Sequence, residues 1–554
     1  MRRFIILAVL WCTTVGAAER PPAAAVASAH ALATEAGFEI LAAGGNAFDA
    51  AVAVSAALAV VEPYGSGLGG GGFWLLHRAD GFETMVDGRE TAPRAAHRDM
   101  YLDAAGEVVP GLSRDGPLAA GVPGEPAALA HIASRYGRLP LAHTLAPAIR
   151  LAREGFPVTE HYRRMAAFRS DTLAQHGGGK VFLLDGQVPP AGHVIRQPAL
   201  AETLVALAER GHAGFYDGPV ANRLVRDVRA GGGIITLEDL AAYRVIERQP
   251  LRGSYHGYTI TTASPPSSGG VALLTMLNIL EGYPIDALPR VARAHLLVEA
   301  MRRAYRDRAE FLGDPDFIEV PVARLTHPFY AAGLRASLRM DRATPSTALA
   351  PSQPVPAGPH TTHLSVLDQE GNYVAATLSI NYPFGSGFLS TGTGVLLNDE
   401  MDDFSARPGT PNAYGLVGGE ANAIAPGKRM LSSMTPTFIA GDGRVAVLGT
   451  PGGSRIITMV LLGVLDAVAG NGPASWVEVP RFHHQYLPDT LFMEPGAFTA
   501  EEQQALVAKG HRLETVTQPW GNMQAVEWNL AGNTVRAASD PRGEGSAMVR
   551  AVRD

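Results

Sequence analysis

Between Thr344 and Pro359 the chain carries five prolines, several small residues and no charged side chain. Proline fixes φ and lacks an N–H, so this stretch cannot be an interior helix or a central strand. It reads as an exposed linker that divides the chain. Directly after it the pattern changes to alternating strands, which sets the main boundary at His360–Thr361. The expected pieces are a leader over residues 1–18, a large part over 19–360 and a smaller part over 361–554.

Beyond the boundary, Thr361–Asp368 alternates as a strand, Gln369-Glu370-Gly371-Asn372 is a turn, and Tyr373–Ser379 is a second strand. Pairing about the turn's centre sets Asp368 opposite Tyr373 and Thr361 opposite residue 380, to within one residue of register. Either way, Ser379 and Asn381 flank Thr361. A second hairpin joins Pro436–Ala440 to Arg444–Leu448 about Gly441-Asp442-Gly443. Extended, it sets Ser432-Ser433 beside Pro451-Gly452-Gly453, after which Ser454 is expected to cap a helix starting at Arg455. Glycine N–H groups at a helix start make an anion or oxyanion site. The sequence does not say that the two clusters meet, and either hairpin alone is compatible with ordinary turns.

In the first half, Ala27–Ala43 and Phe48–Val61 are Ala-rich and helical in pattern, separated by Gly44-Gly45-Asn46. A glycine run, Gly65–Gly72, leads into the predicted hairpin Phe73–Arg78 and Phe82–Asp87. Its G-x-G-x-x-G spacing follows a helix and opens a strand, the reverse of a dinucleotide site. A backbone lining near a pocket is the better reading. Residues 120–240 are mainly helical, 253–262 form a strand, and Ala292–Leu312 is a long amphipathic helix. The Arg302, Arg303, Arg306, Arg308, Glu299, Asp307 and Glu310 set on it reads as a solvated or subunit-facing salt-bridge surface.

Composition narrows the class. Across 554 residues, 46% are hydrophobic and 18% charged, which supports a large core. A formal charge of −7 argues against a nucleic-acid partner. Met1-Arg2-Arg3, the apolar run Phe4–Val15 and small residues up to Ala18 read as a secretory signal, hence a periplasmic or secreted protein. The single cysteine, Cys12, lies in that leader, which excludes disulfides and thiolate chemistry from the mature chain. Ile456–Gly470 is apolar but short, a core helix rather than a stable membrane span. His360 and His363 sit three apart on a strand and face opposite ways, and His483-His484 reads as packing or hydrogen bonding. No metal and no cofactor are expected. Asp402-Asp403, being adjacent, should point apart.

These motifs carry a resemblance. Thr361-Thr362-His363-Leu364-Ser365-Val366 resembles the start of the small subunit of γ-glutamyltranspeptidases, and Asn398–Phe404, Pro411–Gly419, Leu431–Pro436 and Pro451–Arg455 are similar to further segments of that family. In the first half Gly44–Ala47, Asp49–Ala51, Glu62-Pro63, Gly69–Phe73 and Arg89–Pro93 match as well, in order along nearly the whole mature chain.

The resemblance implies an N-terminal-nucleophile hydrolase of α+β class: a four-layer α/β/β/α sandwich with two stacked antiparallel sheets. It implies a precursor that cuts itself between His360 and Thr361 into a large and a small subunit, which stay together as a heterodimer. Thr361 would attack the γ-carbonyl of γ-glutamyl compounds such as glutathione, with Ser379 in support and Gly452 and Gly453 stabilising the oxyanion. Arg89, Ser432 and Ser433 would bind the α-carboxylate, Asn381, Glu400 and Asp403 the α-ammonium, and Tyr414 belongs to a lid-like loop. The acceptor would be water, an amino acid or a dipeptide. Ser379 stands where many members have threonine. Two other readings share parts of this pattern: a glutaryl (cephalosporin) acylase or poly-γ-glutamate hydrolase, and a non-catalytic binder of γ-glutamyl compounds.

Overall fold

A computed structural model describes residues 20–349, 361–412 and 414–552. The leader, most of the linker and His360 lie outside these residues. Thr362–Leu367 and Tyr373–Ser379 form the expected hairpin at the centre of a seven-stranded sheet. In spatial order its strands are Ser546–Arg550, Ala24–Ser28, Thr362–Leu367, Tyr373–Ser379, Gly71–His77, Glu83–Gly88 and Ile246–Arg248. Both central strands are buried along their whole length. Leu364, Val366, Val374, Ala376 and Leu378 point to one layer, Leu367, Tyr373 and Ala375 to the other. This is the period of two that a strand between two packed layers requires.

The hairpin register differs by one residue from the symmetric expectation. Tyr373 pairs with Leu367 and Leu378 with Thr362. Asp368 is not a strand residue. Its carboxylate accepts from the N–H groups of Glu370 and Asn372, both at 2.9 Å, and closes the loop. Side-chain capping of this kind moves a residue from strand to turn. Continued one step, the pairing sets Ser379 opposite Thr361.

The second sheet has six strands: Thr534–Ser539, Gln524–Asn529, Arg444–Gly449, Thr437–Gly441, Tyr258–Thr262 and Leu251–Tyr255. All pairings in both sheets are antiparallel. The turn between Gly441 and Arg444 has two residues rather than three, because Asp442 and Gly443 both adopt positive φ, 48° and 65°, as a tight hairpin turn demands. The strand expected over 253–262 is likewise a hairpin.

The sheets pack face to face. Tyr373 meets Phe438 edge-on at 4.6 Å, and Ser365 donates to the Gln524 carbonyl at 3.1 Å. Ala31–Ala42, Ala47–Val61, Glu125–Arg135 and Leu141–Glu154 cover the first sheet; Gly269–Leu280 and Ile456–Val468 cover the second. The result is the four-layer α/β/β/α arrangement. Ala47–Val61 is apolar on every side and wholly buried, and Asn46 and Asp49 close its start as a capping box. Among the described residues no helix is long and apolar enough to cross a membrane.

Three expectations are corrected. Ala24–Ser28 is a strand between two neighbours, and the helix begins only at Ala31; alanine gives no β signal, so sheet pairing decides. The long helix spans Arg290–Phe311, but Glu299, Arg302, Arg303, Asp307 and Arg308 on it are buried rather than solvated. Arg302 bonds Ser346 at 2.6 Å and pairs with Asp489, so this face packs against the rest of the protein. Finally, the start of the linker is anchored: the Thr344 N–H donates to Glu299 at 3.0 Å and the Ser346 N–H to Asp489 at 2.7 Å.

Candidate active site

Strand alternation fixes where Thr361 looks. Ser365 reaches the second sheet, so the odd-numbered positions of its strand face the space between the sheets. Thr361, one residue before the strand, sits at the mouth of that space and is buried.

Ser379 stands opposite. Its Oγ accepts from the Asn381 N–H at 2.7 Å, which leaves the hydroxyl proton to donate elsewhere. The chain then turns sharply at Asn381, whose φ of 72° is a left-handed value that asparagine tolerates. Asn381 Nδ2 donates to the Asp399 carbonyl at 3.0 Å, joining this turn to the acidic segment Glu400–Asp403.

Arg89 follows the strand Glu83–Gly88 and is completely buried. It donates to Glu400 at 2.6 Å, to Asp403 at 2.5 Å and to the Met430 carbonyl at 3.3 Å. Burial works against the Arg89 charge, but Glu400, Asp403 and Glu90 outweigh it and hold the cation. Burial pushes Glu400 up to about 7; Asp403 adds to the rise, while Arg89 and the nearby Ser379 hydroxyl oppose it. Glu90 is driven well above the carboxylate range, first by burial and then by Glu400.

The second hairpin supplies the other wall. Ser432 Oγ accepts from the Met434 N–H at 3.1 Å, and Ser433 Oγ accepts from Arg308 at 3.3 Å. Both hydroxyl protons are then available to an anion. Gly452 and Gly453 lead into the short turn Gly453–Arg455 and the helix Ile456–Val468. Their φ values, 143° and 56°, suit glycine, and their N–H groups precede the first bond of the turn, Arg455 N–H to the Gly452 carbonyl at 3.1 Å. Ser454 does not cap the helix through its side chain; instead its carbonyl accepts from the Tyr305 hydroxyl. Tyr414 closes the top. Its hydroxyl donates to the Asn381 carbonyl at 2.8 Å, and its ring lies against Gly453.

One pocket thus gathers Arg89, Thr361, Ser379, Asn381, Glu400, Asp403, Tyr414, Ser432, Ser433 and Gly453. Of the eleven residues expected to carry catalytic or substrate-binding roles, only Gly452 lies outside its lining. A buried threonine, two serine hydroxyls, a buried cation and two carboxylates face one small space.

A family model described as gamma-glutamyltranspeptidase matches residues 33–550. The chain belongs to that family. It is similar to the glutathione hydrolase proenzyme of Escherichia coli (strain K12), with 41% identity covering 98% of this chain and 97% of that protein. It is 44% identical to the glutathione hydrolase proenzyme of Pseudomonas aeruginosa, covering 92% of each. The crystal structure of cephalosporin acylase from Bacillus halodurans superposes with a TM-score of 0.84 at 28% identity, covering 96% of each chain.

Within this γ-glutamyltranspeptidase chain, three supporting residues had no assigned role in the sequence reading. Asn398 ties the acidic segment to the first half: Nδ2 donates to the carbonyls of Gly69 (2.6 Å) and Gly121 (2.9 Å), and Oδ1 accepts from the N–H groups of Gly121 (2.9 Å) and Glu400 (3.0 Å). Asn412 bonds Asp403 at 3.2 Å and caps the N–H groups of Tyr414 and Leu416. Arg308, read from sequence as a surface charge, is buried behind Ser433 and also donates to Ser268 at 3.0 Å. Only Asn398 and Asn412 carried a signal, as members of the quoted motifs.

The remaining candidates fall outside the pocket. The glycine run lies behind it, with Gly70 pressed on the Ser379 carbonyl. Asp402 turns away from Asp403 and accepts from Ser113 at 2.6 Å. His363 bonds Thr377 at 2.8 Å, and burial pushes it down to about 3, so it is a neutral packing residue. His483 and His484 bond Thr458, Gln485 and Asp489. One group with metal-like spacing was missed: ligand atoms of His295, Glu299 and His511 lie within 4.8 Å of one another. Its hydrogen bonds describe it without an ion. His295 Nε2–H donates to the Arg339 carbonyl at 2.7 Å, so Nδ1 accepts from His511 at 2.7 Å. Glu299 accepts from Arg302 and Arg303.

Proposed function

We propose that the chain is a self-processing γ-glutamyl hydrolase/transpeptidase whose nucleophile is Thr361. The observation that carries this reading is the single pocket in which Thr361 meets the Arg89–Glu400–Asp403 cluster. A γ-glutamyl head is a zwitterion, and this pocket offers a partner of each sign. Its carboxylate takes Arg89, Ser432 and Ser433; its ammonium takes Glu400, Asp403 and the Asn381 side chain.

Cleavage between His360 and Thr361 frees an α-amine on the nucleophilic residue itself, and that amine serves as the base. The Thr361 hydroxyl attacks the γ-carbonyl, and the N–H groups of Gly452 and Gly453 receive the oxyanion, at about 2.7–4 kcal/mol per donor. The amine leaves with a proton, and the acyl-enzyme passes its glutamyl group to water or to an amino acid or peptide. Glutathione and related γ-glutamyl amides are the substrate class. Strand order favours a lasting heterodimer: Thr362–Leu367, from the small part, pairs with Ala24–Ser28 of the large part on one side. Cutting one bond leaves that ladder intact. The leader over residues 1–18 sends the chain to the periplasm or the medium.

A glutaryl group has the same γ-carbonyl geometry but no ammonium, so it leaves the carboxylates without a cation. Release of p-nitroaniline from γ-glutamyl and glutaryl anilides separates the readings. Faster γ-glutamyl turnover is expected; faster glutaryl turnover would make the chain an acylase, and turnover of neither would leave a binding protein.

A further inference from the structure

Asp399 stands one residue before Glu400 and is fully buried. It brackets the turn that follows Ser379 with three hydrogen bonds. Its N–H donates to the Ile380 carbonyl at 3.2 Å, its carbonyl accepts from Asn381 Nδ2 at 3.0 Å, and its Oδ1 accepts from the Tyr382 N–H at 2.9 Å. Its Oδ2 has no hydrogen-bond partner among the described residues. The side chain therefore works through one acceptor oxygen.

The turn needs such a hold. Asn381, at φ 72°, and Phe384, at φ 59°, both lie in the left-handed region. Such conformations persist only where the surroundings fix them, above all for a bulky residue. Two site groups depend on this turn. Ser379 Oγ accepts from the Asn381 N–H at 2.7 Å, and Asn381 lines the pocket. With Nδ2 committed to Asp399, the acceptor Oδ1 is the end of that amide left for a ligand. Asp399 has no ion pair among the described residues to give its charge a use. Arg169, the cation that faces it, is bonded instead to Asp115 (2.8 Å) and to the carbonyls of Pro383 (3.2 Å) and Gly385 (2.8 Å). Burial drives the Asp399 carboxyl well above the carboxylate range, against the pull of Arg169 and the Tyr382 N–H.

We propose that Asp399 is a positioning residue of the γ-glutamyl site: its side chain serves as a hydrogen-bond acceptor rather than a charge, and through the Tyr382 N–H it holds Asn381 in the pose that receives the donor's ammonium. This rests on the γ-glutamyl reading. Adjacent acids then divide the work, with Glu400 facing the ligand and Asp399 shaping the turn beside it. Asparagine offers the same acceptor and should replace Asp399. Alanine strands a buried N–H and lets the turn relax.

The test uses the processed enzyme, turnover of a γ-glutamyl anilide, and inhibition of that turnover by glutamate and by glutarate. The two inhibitors share both carboxylates and differ in the ammonium. The wild type should bind glutamate more tightly. Asp399→Asn should keep that preference and the wild-type kcat within about twofold. Asp399→Ala should weaken glutamate about tenfold and glutarate by less than about threefold. Should Asp399→Ala yield no processed enzyme, Asp399→Ser, with a shorter acceptor, should show a smaller loss of the same kind. An asparagine variant that loses the preference would show that the charge is used and overturn the proposal. An alanine or serine variant that keeps the preference, or that weakens both inhibitors alike as a general structural defect would, also overturns it. A wild type that releases no aniline, or that binds glutarate as well as glutamate, would overturn the γ-glutamyl reading itself.

Discussion

Arg89 Nη1 bonds the Glu400 carboxylate at 2.6 Å, with both side chains buried. The same guanidinium holds Asp403. On the proposed reading a zwitterion brings the complementary pair of charges, so binding exchanges the internal Arg89–Glu400 and Arg89–Asp403 pairs for external ones. Desolvation has already been met within the folded protein, which makes the exchange feasible in a buried site.

Arg89→Lys tests this geometry. Lysine is a point charge and cannot bond both acids and the Met430 carbonyl in a fixed fork. The donor KM should rise about tenfold or more, with a smaller change in kcat. Steady-state kinetics on a γ-glutamyl anilide give both numbers. Alanine is less informative, because stranding the buried Glu400 carboxylate costs about 3–5 kcal/mol of stability.

Glu400 makes donor binding pH-dependent. With its pKa raised to about 7, the carboxyl is largely protonated at pH 6 and ionised at pH 8. Only the anion holds an ammonium, so donor KM should fall as pH rises through that range, about tenfold from pH 6 to pH 8. Glu400→Gln should raise KM and flatten the profile. A wild-type KM that is level across the range would remove Glu400 from the ammonium site.

Gly453 cannot carry a side chain. Its φ is 56°, and an added Cβ would lie 2.5 Å from the Tyr414 ring. Gly453→Ala should turn its N–H from the oxyanion position and lower kcat by about 10²–10³. Circular dichroism should be unchanged, because the turn lies at a helix start outside the sheets.

The Thr361 hairpin sits one residue from the symmetric register, within the one-residue range expected, and the reason lies in Asp368. Alternation and turn residues are local signals, so they showed both hairpins and the residues at their ends. They could not show that the Asp368 side chain closes the loop. That the two clusters share one pocket depends on sheet-on-sheet packing, a long-range fact, and there the family resemblance supplied what spacing could not. Arg308 failed for a related reason: a charged helix face looks the same whether water or Ser433 lies against it. Asn398 is a clamp only because Gly69 and Gly121 come to it from far along the chain.

Tyr414→Phe removes one bond, the 2.8 Å contact to the Asn381 carbonyl. A neutral hydrogen bond contributes about 0.5–1.5 kcal/mol, so donor KM should rise about two- to tenfold. Limited proteolysis should cut the Pro411–Val417 segment sooner, because this bond fastens it over the pocket.

Self-processing requires that the bond before Thr361 breaks and that Thr361 breaks it. Purified wild-type protein and Thr361→Ala should be compared on a denaturing gel, with N-terminal sequencing of the bands. Wild type should give two fragments, the smaller one beginning at Thr361, and Thr361→Ala a single intact chain. A wild-type protein that remains one chain after long incubation, or a Thr361→Ala protein that still divides there, would contradict it.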